Sequence, residues 1–568
     1  MDLVAFQYDR SFVLDALRHG DIDYLEHITE AAEADWFRHL IRRQVIQRLA
    51  DTYPSPRKKE EVPVWIYLAS ELSLKLHGAQ SYHAFPRILR SGGLIEALGP
   101  EMGGRKTRHP ETNDVTLACP GFNDKNDYDR QTPCDQDFLR KFARDTEADA
   151  LHTWFNREVP RCLRSLGLFD AEGLFIGDAS YLFVPDNERY EQSDLLWFDE
   201  HNHPVDADKV DLRNQRYQQH RCYKLVSLIH VNRKRDFFFV VAARVVSGRR
   251  HESPILYELV EEVVRAVHKG FIKVLIVDRG LIDGERMGYL KQKLAIDTIV
   301  PLRRNMDLYA DAVGLTRLRG FTWEPYVPLE PAPPVATASP RPAAVEKREA
   351  KRQQTLAQRK AEAEPKTEPT AAAAPTAAPT GATLAPQTLL GLGRGLLSWS
   401  QCPVPLTAVV NRELDEHGQT HDWVLVSTTD GFSAAQIRST YELRPAIEER
   451  HRQYKCFWDL TRMHSCAFSL VANQALMVLL AYTLLQAHLV LRQRQNLTGG
   501  VWARAWQLLS PTLEVVAVYY RQRFCLLTLA EFARILLDIA EPARGQLREK
   551  LRRIERAQYS LLETARSP

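Results

Sequence analysis

Two aspartates lie at the expected ends of buried strands, and carboxylates at such positions can take part in catalysis. Asp178 lies within the run GLFIGDASYL, and Asp278 directly follows the apolar run IKVLIV. A carboxylate at the end of a buried strand costs free energy unless it is paired, solvated or bound to a metal ion. Ligands of open α/β sheets also gather at strand ends. Taken singly, each aspartate could instead cap a helix or a turn.

A second group of reactive side chains lies in the segment STYELRPAIEERHRQYK. Four of its residues follow one another at spacings of three, four and seven positions: Tyr441, Arg444, Glu448 and Lys455. Residues with these spacings share one face of an α-helix. Pro445 interrupts the helix, but Glu448 and Lys455 remain on one stripe after it. The alternative is a solvated face whose charge pairs stabilise the helix.

The segments around the aspartates predict a mixed α/β sheet. GLFIGDASYLFV predicts a strand, and YKLVSLIHV and DFFFVVAARVV predict a hairpin around the polar turn NRKR. PILYELVEEVVRAVHKG has helical periodicity, and IKVLIVD is typical of a strand buried on both faces. GERMGYLKQKLA and DTIVPLR predict a further helix and strand. Antiparallel strands followed by alternating helix and strand are typical of such a sheet.

The rest of the chain divides by composition and periodicity. Residues 1–165 are expected to be mainly helical, and residues 330–387 have almost no large apolar side chain, which predicts a flexible linker. PLTAVVNRELDEHGQTHDWVLVSTT predicts a second hairpin. Ser433 and Gln436 have the spacing of a capping box, and helices are expected from there to the C-terminus.

The overall composition is that of an ordinary globular protein, so any charged binding surface must be local. The 75 basic and 72 acidic side chains give a net charge of +3. A field spread over the whole protein is therefore no evidence for a nucleic-acid partner. The eight cysteines form no C-x-x-C pair, which argues against a zinc ribbon and a disulfide framework.

One run, 466–491, is apolar and long enough to span a membrane. It contains Asn473, Gln474, Gln486 and His488, which are expensive in hydrocarbon, so a buried core helix is the better prediction. The first residues lack the basic start and apolar core of a signal peptide. We therefore expect a cytoplasmic protein without a membrane partner.

The pattern Tyr-x2-Arg-x3-Glu-x6-Lys resembles the Y-R-E-K signature of a large group of bacterial insertion-sequence DDE transposases. The order of the two aspartates and the glutamate resembles their ribonuclease-H-like catalytic domain. The segment VDRGLIDGERMGYLKQKLA resembles the surroundings of the family's second aspartate. The resemblance covers about 173–304 and 405–495 and leaves out the linker. It implies an α/β ribonuclease-H-like mixed sheet with helices, a β-rich insertion, and helical N- and C-terminal regions.

The resemblance also implies a metal-dependent active site. Asp178, Asp278 and Glu448 would hold two Mg²⁺ ions per site, with Mn²⁺ able to substitute, and Asp178 would bridge both ions. Paired divalent ions activate a water or 3′-hydroxyl and stabilise the departing oxygen of a phosphodiester. Carboxylate oxygens are the ligands that Mg²⁺ prefers.

The remaining signature residues are implied to bind DNA. Tyr441, Arg444 and Lys455 would contact the backbone of the transposon end, because cationic side chains position phosphates without reading bases. Arg450 and Arg452 add local positive charge and are further candidates for DNA contact.

Trp423 lies in HDWVLVS, a short distance before the glutamate helix. In well-known members of the family a tryptophan at a similar place stabilises a flipped base, and an indole is well shaped for that stacking. The alternative for Trp423 is a core residue of a strand.

The expected domains follow from these assignments. They are a helical region for end-DNA recognition at 1–165, the catalytic domain at 166–304 and 431–495, the β-rich insertion with its linker at 305–430, and a helical region for dimerisation or DNA contact at 496–568.

The predicted function is cut-and-paste transposition by a nucleoid-associated bacterial transposase, acting on terminal inverted repeats and target DNA as a homodimer. Pairing two DNA ends is most simply achieved by a two-fold symmetric dimer. Two alternatives remain: a structure-specific two-metal nuclease without strand transfer, and a catalytically silent DNA-binding regulator.

Overall fold

The protein is described from a computed structural model. The structure describes residues 7–28, 31–58, 62–78, 81–82, 105–108, 115–118, 136–210, 216–232, 237–328, 387–414, 419–463, 465–492, 515–521 and 523–564. The predicted linker at 330–387 lies outside the described residues except for its last position.

The described residues form seventeen strands. The strands are β1 Gln7–Tyr8, β2 Tyr24–Ile28, β3 Arg105–Arg108, β4 Val115–Ala118, β5 Leu174–Val184, β6 Asp194–Phe198, β7 Pro204–Val205, β8 Gln218–Val231, β9 Phe238–Ser247, β10 Val274–Val277, β11 Asp297–Pro301, β12 Trp323–Pro325, β13 Gln387–Leu396, β14 Leu406–Leu414, β15 Thr420–Ser427, β16 Val515–Tyr520 and β17 Arg523–Thr528.

The same residues form fourteen α-helices. The helices are α1 Arg10–Arg18, α2 Ala31–Arg42, α3 Val45–Asp51, α4 Val64–Leu76, α5 Gln136–Asp145, α6 Ala148–Ser165, α7 Glu252–Ala266, α8 Gly284–Tyr289, α9 Asp307–Leu315, α10 Ala434–Tyr441, α11 Pro445–Phe457, α12 Phe468–Leu491, α13 Leu529–Asp538 and α14 Glu541–Thr564.

A large mixed sheet forms the centre of the protein and confirms the predicted α/β class. Its middle strands have the spatial order β9-β8-β5-β10-β11. The predicted hairpin is β8 and β9, which pair antiparallel, and β8 also pairs antiparallel with β5. β10 lies parallel to β5 on one side and to β11 on the other. Such parallel neighbours end at one edge of the sheet, where polar residues can meet.

The β-rich insertion extends this same sheet. β15 pairs antiparallel with β11, and β14, β13 and β12 follow in order. The predicted hairpin in this region is β14 and β15. The insertion therefore places Trp423, on β15, beside the end of a central strand.

Helix α12 is the apolar segment that has the length of a membrane span. It is the helix among the described residues that is long and apolar enough to cross a membrane, but 94% of its most apolar window is buried inside the protein. Its polar residues have partners in the interior: Asn473 accepts a hydrogen bond from the Tyr67 hydroxyl at 2.9 Å. The helix is buried, as the sequence predicted.

Two side chains of α12 cover the free edge of β9. Gln486 accepts a hydrogen bond from the Phe238 N–H at 2.9 Å and donates one to the Phe238 carbonyl at 2.7 Å. The Thr483 hydroxyl accepts from the Val240 N–H at 3.2 Å. An unpaired backbone group in the interior costs free energy, so these contacts explain polar residues in an apolar helix.

The two ends of the chain form a sheet of their own. Its order is β1-β17-β16-β2, and a small core from α1, α13 and α14 covers it. Helical regions are predicted at both ends of the chain, so these four strands are a correction. The pairing of strands more than 480 residues apart joins the two ends, and such long-range pairing cannot be read from local periodicity.

Candidate active site

The register of two parallel strands places the aspartates side by side. Gly177 of β5 and Val277 of β10 are partners, and Asp178 and Asp278 are the residues that follow them. Asp278 lies at a strand end, as predicted, and begins a 3₁₀ turn, Arg279–Leu281. Asp178 does not, because β5 continues to Val184 through its pairing with β8. The predicted strand-end position of Asp178 is therefore wrong, although the two aspartates are neighbours.

Gly177 decides which face of β5 carries the carboxylate. A Cβ atom at this position would lie 2.5 Å from Leu256 Cδ1 of α7, so the helix packs directly against the backbone. Successive side chains of a strand point to opposite faces. Asp178 therefore faces away from α7, toward α11 on the other face of the sheet.

Local sequence signals position α11. The capping box predicted for Ser433 and Gln436 is present and begins α10. Pro445 is the first residue of α11, where its missing N–H has no cost, and Arg444 stands at the N-cap position. The glutamate of the signature, Glu448, is in the first turn of α11.

Arg444 brings the three predicted catalytic carboxylates together. Its Nη2 atom lies 3.5 Å from Asp178 Oδ2 and 3.3 Å from Asp278 Oδ2. Its Nη1 atom contacts the carboxylate of Glu448. Residues from two strands and one helix, far apart in the sequence, thus converge on a single guanidinium.

Burial differs strongly among the three acids. The exposed fraction of the side chain is 15% for Asp178, 41% for Asp278 and 54% for Glu448. Burial raises the pKa of Asp178 to about 7, although Arg444 acts against this shift, while Asp278 and Glu448 add to it. Burial acts to lower the pKa of Arg444, but the three carboxylates outweigh it and hold this pKa above its usual value.

Lys455 contacts the same strand as Arg444 does. Its Nζ donates a hydrogen bond of 2.6 Å to the hydroxyl of Ser180, which lies two residues after Asp178 on the same face of β5. Burial lowers the pKa of Lys455 to about 8. The signature stripe of α11 therefore faces the sheet at Arg444 and Lys455, while Glu448 between them stays half exposed.

His451 also lies on this stripe and was not among the residues predicted from the sequence. His451 Nε2 and the Ser227 hydroxyl form a buried hydrogen bond of 2.9 Å, and Ser227 is the register partner of Asp178 on β8. Burial, and then the charges of Lys455 and Arg444, lower the pKa of His451 to about 3. The available signal was its spacing, three residues after Glu448 on the same helical face.

Tyr441 and Trp423 lie together at the side of the site. Their ring centroids are 6.1 Å apart. Burial and the charge of Asp278 raise the pKa of Tyr441 to about 12. The indole N–H of Trp423 donates to Glu413 at 2.9 Å, and the Arg438 guanidinium lies 4.5 Å from the ring centroid. One face of the indole is thus covered by a cation.

Arg450 and Arg452 are not brought to the carboxylates. Arg450 packs 4.2 Å from the ring centroid of Phe238 and donates to the Tyr482 hydroxyl at 3.3 Å. Arg452 is half exposed and forms two hydrogen bonds of 2.7 Å with Glu449. Their predicted DNA contacts stay predictions.

The donor set is suited to hard cations, but Arg444 occupies its centre. Among the residues that the structure describes, no group of three His, Cys, Asp or Glu side chains is arranged to hold a metal ion as it stands. The three carboxylates surround the guanidinium instead. Carboxylates that converge on one cation are the ligand type that hard divalent cations prefer, so the side chains of Asp178, Asp278 and Glu448 fit such an ion.

Comparison with known proteins adds one finding. A family model described as the transposase DDE domain matches residues 192–484, slightly more than half of the chain. The matched segment contains Asp278 and Glu448 and begins after Asp178. No curated protein matches the chain significantly.

Proposed function

Because this chain belongs to the transposase DDE domain family, we propose that it cleaves DNA at the ends of its own element and joins those ends to target DNA. The observation that supports this most directly is the convergence of Asp178, Asp278 and Glu448 on Arg444. The family implies a transposase acting on DNA, and these side chains are suited to its chemistry.

The three carboxylates are proposed to hold two divalent ions, Mg²⁺ or Mn²⁺. When bound, such ions activate the attacking water or 3′-hydroxyl and stabilise the departing oxygen. Arg444 supplies one positive charge to the three carboxylates and offsets part of their repulsion. Once displaced, its guanidinium remains beside them, where it can contact a phosphate of the substrate.

The strand order supports a ribonuclease-H-like core. The five strands β9-β8-β5-β10-β11 combine two antiparallel pairings with two parallel ones. Along the chain, Asp178 lies on the first of them and Asp278 directly follows the fourth. The Y-R-E-K residues lie on α10 and α11 against this sheet. We assign the chain to the Y-R-E-K group on this basis.

Tyr441, Arg444 and Lys455 are proposed to contact the backbone of the transposon end. Each lies within the region of the carboxylates, and the charges of Arg444 and Lys455 suit phosphates. Trp423 is proposed to stack on an unpaired base. Because Arg438 covers one face of its indole, the base would use the other face or displace Arg438.

The terminal regions are proposed to recognise end sequence and to form a dimer. β1 and β2 pair with β16 and β17, so the two regions would act together rather than separately. Helix α14 has several exposed arginines, among them Arg548, Arg552 and Arg556. We also propose that a homodimer in the cytoplasm pairs the two DNA ends, because a two-fold symmetric dimer is the simplest arrangement that holds two equivalent ends.

The test is a cleavage and joining assay with the DNA that flanks the gene. We expect Mg²⁺-dependent nicks and joined products from the wild-type protein, and neither from Asp278→Asn or Glu448→Gln. Matched controls are Asp283→Asn, which keeps an N-cap for α8, and Glu449→Gln on the next position of α11.

The products separate the alternatives. Nicks without joined products would favour a nuclease, and end-specific binding without cleavage would favour a regulator. Full activity of Asp278→Asn would contradict the assigned site.

A further inference from the structure

Three exposed arginines lie at the same sheet edge as the carboxylates. Arg279 directly follows Asp278. β11 is the parallel neighbour of β10, and Arg303 and Arg304 follow its end after the buried Leu302. Parallel strands place their C-terminal ends at one edge, so these side chains belong to the surface that surrounds the site.

The contacts of these arginines keep them together without neutralising them. Arg303 Nη2 donates to the Arg279 carbonyl at 3.3 Å, which links the turn after Asp278 to the loop after β11. Arg304 Nη2 lies 2.9 Å from Nε2 of His421. No acidic residue within the described part of the chain is within salt-bridge distance of the three guanidinium groups. Other arginines nearby are paired; Arg412, for example, lies 2.7 Å from the carboxylate of Asp422.

The pairing of β11 with β15 places Arg303 and Arg304 close to Trp423. The Leu302 N–H donates to the Val424 carbonyl at 2.9 Å, which brings Arg303 level with Trp423 on the neighbouring strand. His421, the partner of Arg304, lies two residues before Trp423 on the same face of β15. The three arginines therefore form a row that crosses the strand ends from Asp278 to the indole.

We propose that Arg279, Arg303 and Arg304, here called the arginine row, bind the phosphodiester backbone of the DNA strand that lies between the carboxylates and Trp423. The inference rests on the proposed function and adds DNA-binding residues outside the Y-R-E-K signature. Guanidinium groups bind phosphates by charge and by paired hydrogen bonds. With a net charge of only +3 for the whole chain, local unpaired cations must supply such binding.

The charge balance of the surface favours a polyanion over a single anion. Three adjacent exposed cations that have no acidic partner among the described residues repel one another, and a backbone that presents successive phosphates relieves all three. Each phosphate contact releases counterions, which makes binding steeply dependent on salt. The salt dependence of binding thus reports directly on the arginine row.

The experiment measures binding of the full chain to a fluorescent DNA duplex of about 40 base pairs and arbitrary sequence, in EDTA, over a range of salt concentrations. For the triple variant Arg279→Gln/Arg303→Gln/Arg304→Gln we expect at least about tenfold weaker binding and a salt slope smaller by about two to three. The triple Arg→Lys variant should retain most of the slope, because its charges remain. The matched control is Arg317→Gln/Arg319→Gln, two exposed arginines beyond the far end of α9, which should bind as the wild type does.

An unchanged salt slope in the triple Gln variant would overturn the proposal that the arginine row binds DNA, as would an equal loss of affinity in the control. Failure of the proposed function would give a different result. If the duplex binds through the row but the wild-type protein never cleaves its flanking DNA, only the catalytic proposal fails. If the protein cleaves and joins DNA while row variants bind normally, only the row fails.

Discussion

Arg444 Nη2 lies 3.5 Å from Asp178 Oδ2, in a contact that joins the N-cap of α11 to the middle of β5. The same guanidinium contacts Asp278 and Glu448. The arginine therefore supplies a positive charge at the centre of an acidic cluster. The same contacts dock the glutamate helix on the strands that position the aspartates.

Arg444→Gln tests whether this arginine and the metal ions compete. Without the guanidinium, three carboxylates repel one another, and we expect the free energy of unfolding to fall by about 1–3 kcal/mol in EDTA. Mn²⁺ or Mg²⁺ should then raise the melting temperature of the variant more than that of the wild type, because no cation has to be displaced. Calorimetry with and without metal measures both effects.

The control for this change is Arg452→Gln on the same helix. Solvent screens its half-exposed pair with Glu449, so the variant should unfold nearly as the wild type does and should not alter the response to metal. A smaller metal response in Arg444→Gln than in the wild type would mean that Arg444 positions the carboxylates rather than competing for them.

Asp178→Asn should change how stability depends on pH. The pKa of Asp178 is about 7 in the folded protein, above its ordinary value of 3.8. Between these values the folded state holds a proton that the unfolded state has released, so the wild type loses stability as pH rises through this window. The Asp178→Asn variant has no carboxyl at this position, so this contribution to the loss of stability is absent. Urea unfolding in EDTA should therefore show Asp178→Asn gaining on the wild type between about pH 4 and pH 7, with no further gain above.

Asp283→Asn, an equally conservative change at the N-cap of α8, should follow the wild-type curve. Parallel pH curves for Asp178→Asn and the wild type would show that burial does not raise the pKa of the Asp178 carboxylate in the folded protein.

The helical stripe of the site could be predicted from the sequence, because helical spacing is local. Arg444, Glu448 and Lys455 share a face as expected. The order of Asp178 and Asp278 was also recognisable. Their register was not, because it depends on which strands pair, and β5 continues past Asp178 only through its partner β8.

Contacts between distant segments account for what the sequence did not predict. The Ser227–His451 hydrogen bond joins residues 224 positions apart, and neither residue stands out in its local pattern. The terminal sheet depends on pairing between the two ends of the chain. Arg279 and Arg303 become neighbours only because β10 and β11 are parallel.

Ser227→Ala tests whether this hydrogen bond positions α11. Removing the hydroxyl leaves the His451 ring nitrogen buried without its partner, which should lower the free energy of unfolding by about 1–3 kcal/mol. Because Ser227 lies opposite Asp178, we also expect DNA cleavage to fall at temperatures where the variant is fully folded. Denaturant unfolding and the cleavage assay measure the two effects.

A double-mutant cycle with His451→Leu supplies the control. If the two residues act through one bond, the double variant should lose less stability than the sum of the single variants. Additive losses would show that Ser227 and His451 act separately, and that another contact positions the glutamate helix.

Gln486→Leu tests why an apolar helix keeps polar side chains. The change makes α12 more apolar, yet it leaves the N–H and carbonyl of Phe238 without partners at the edge of β9. We expect the free energy of unfolding to fall by about 2–4 kcal/mol, since each buried backbone group that loses its partner costs about 1–3 kcal/mol. Leu489→Met in the same helix conserves volume and should cost less than about 1.5 kcal/mol. Denaturant unfolding compares the two variants. Equal or greater stability of Gln486→Leu would mean that the covered edge contributes nothing to folding, and the polar residues of α12 would then need another explanation.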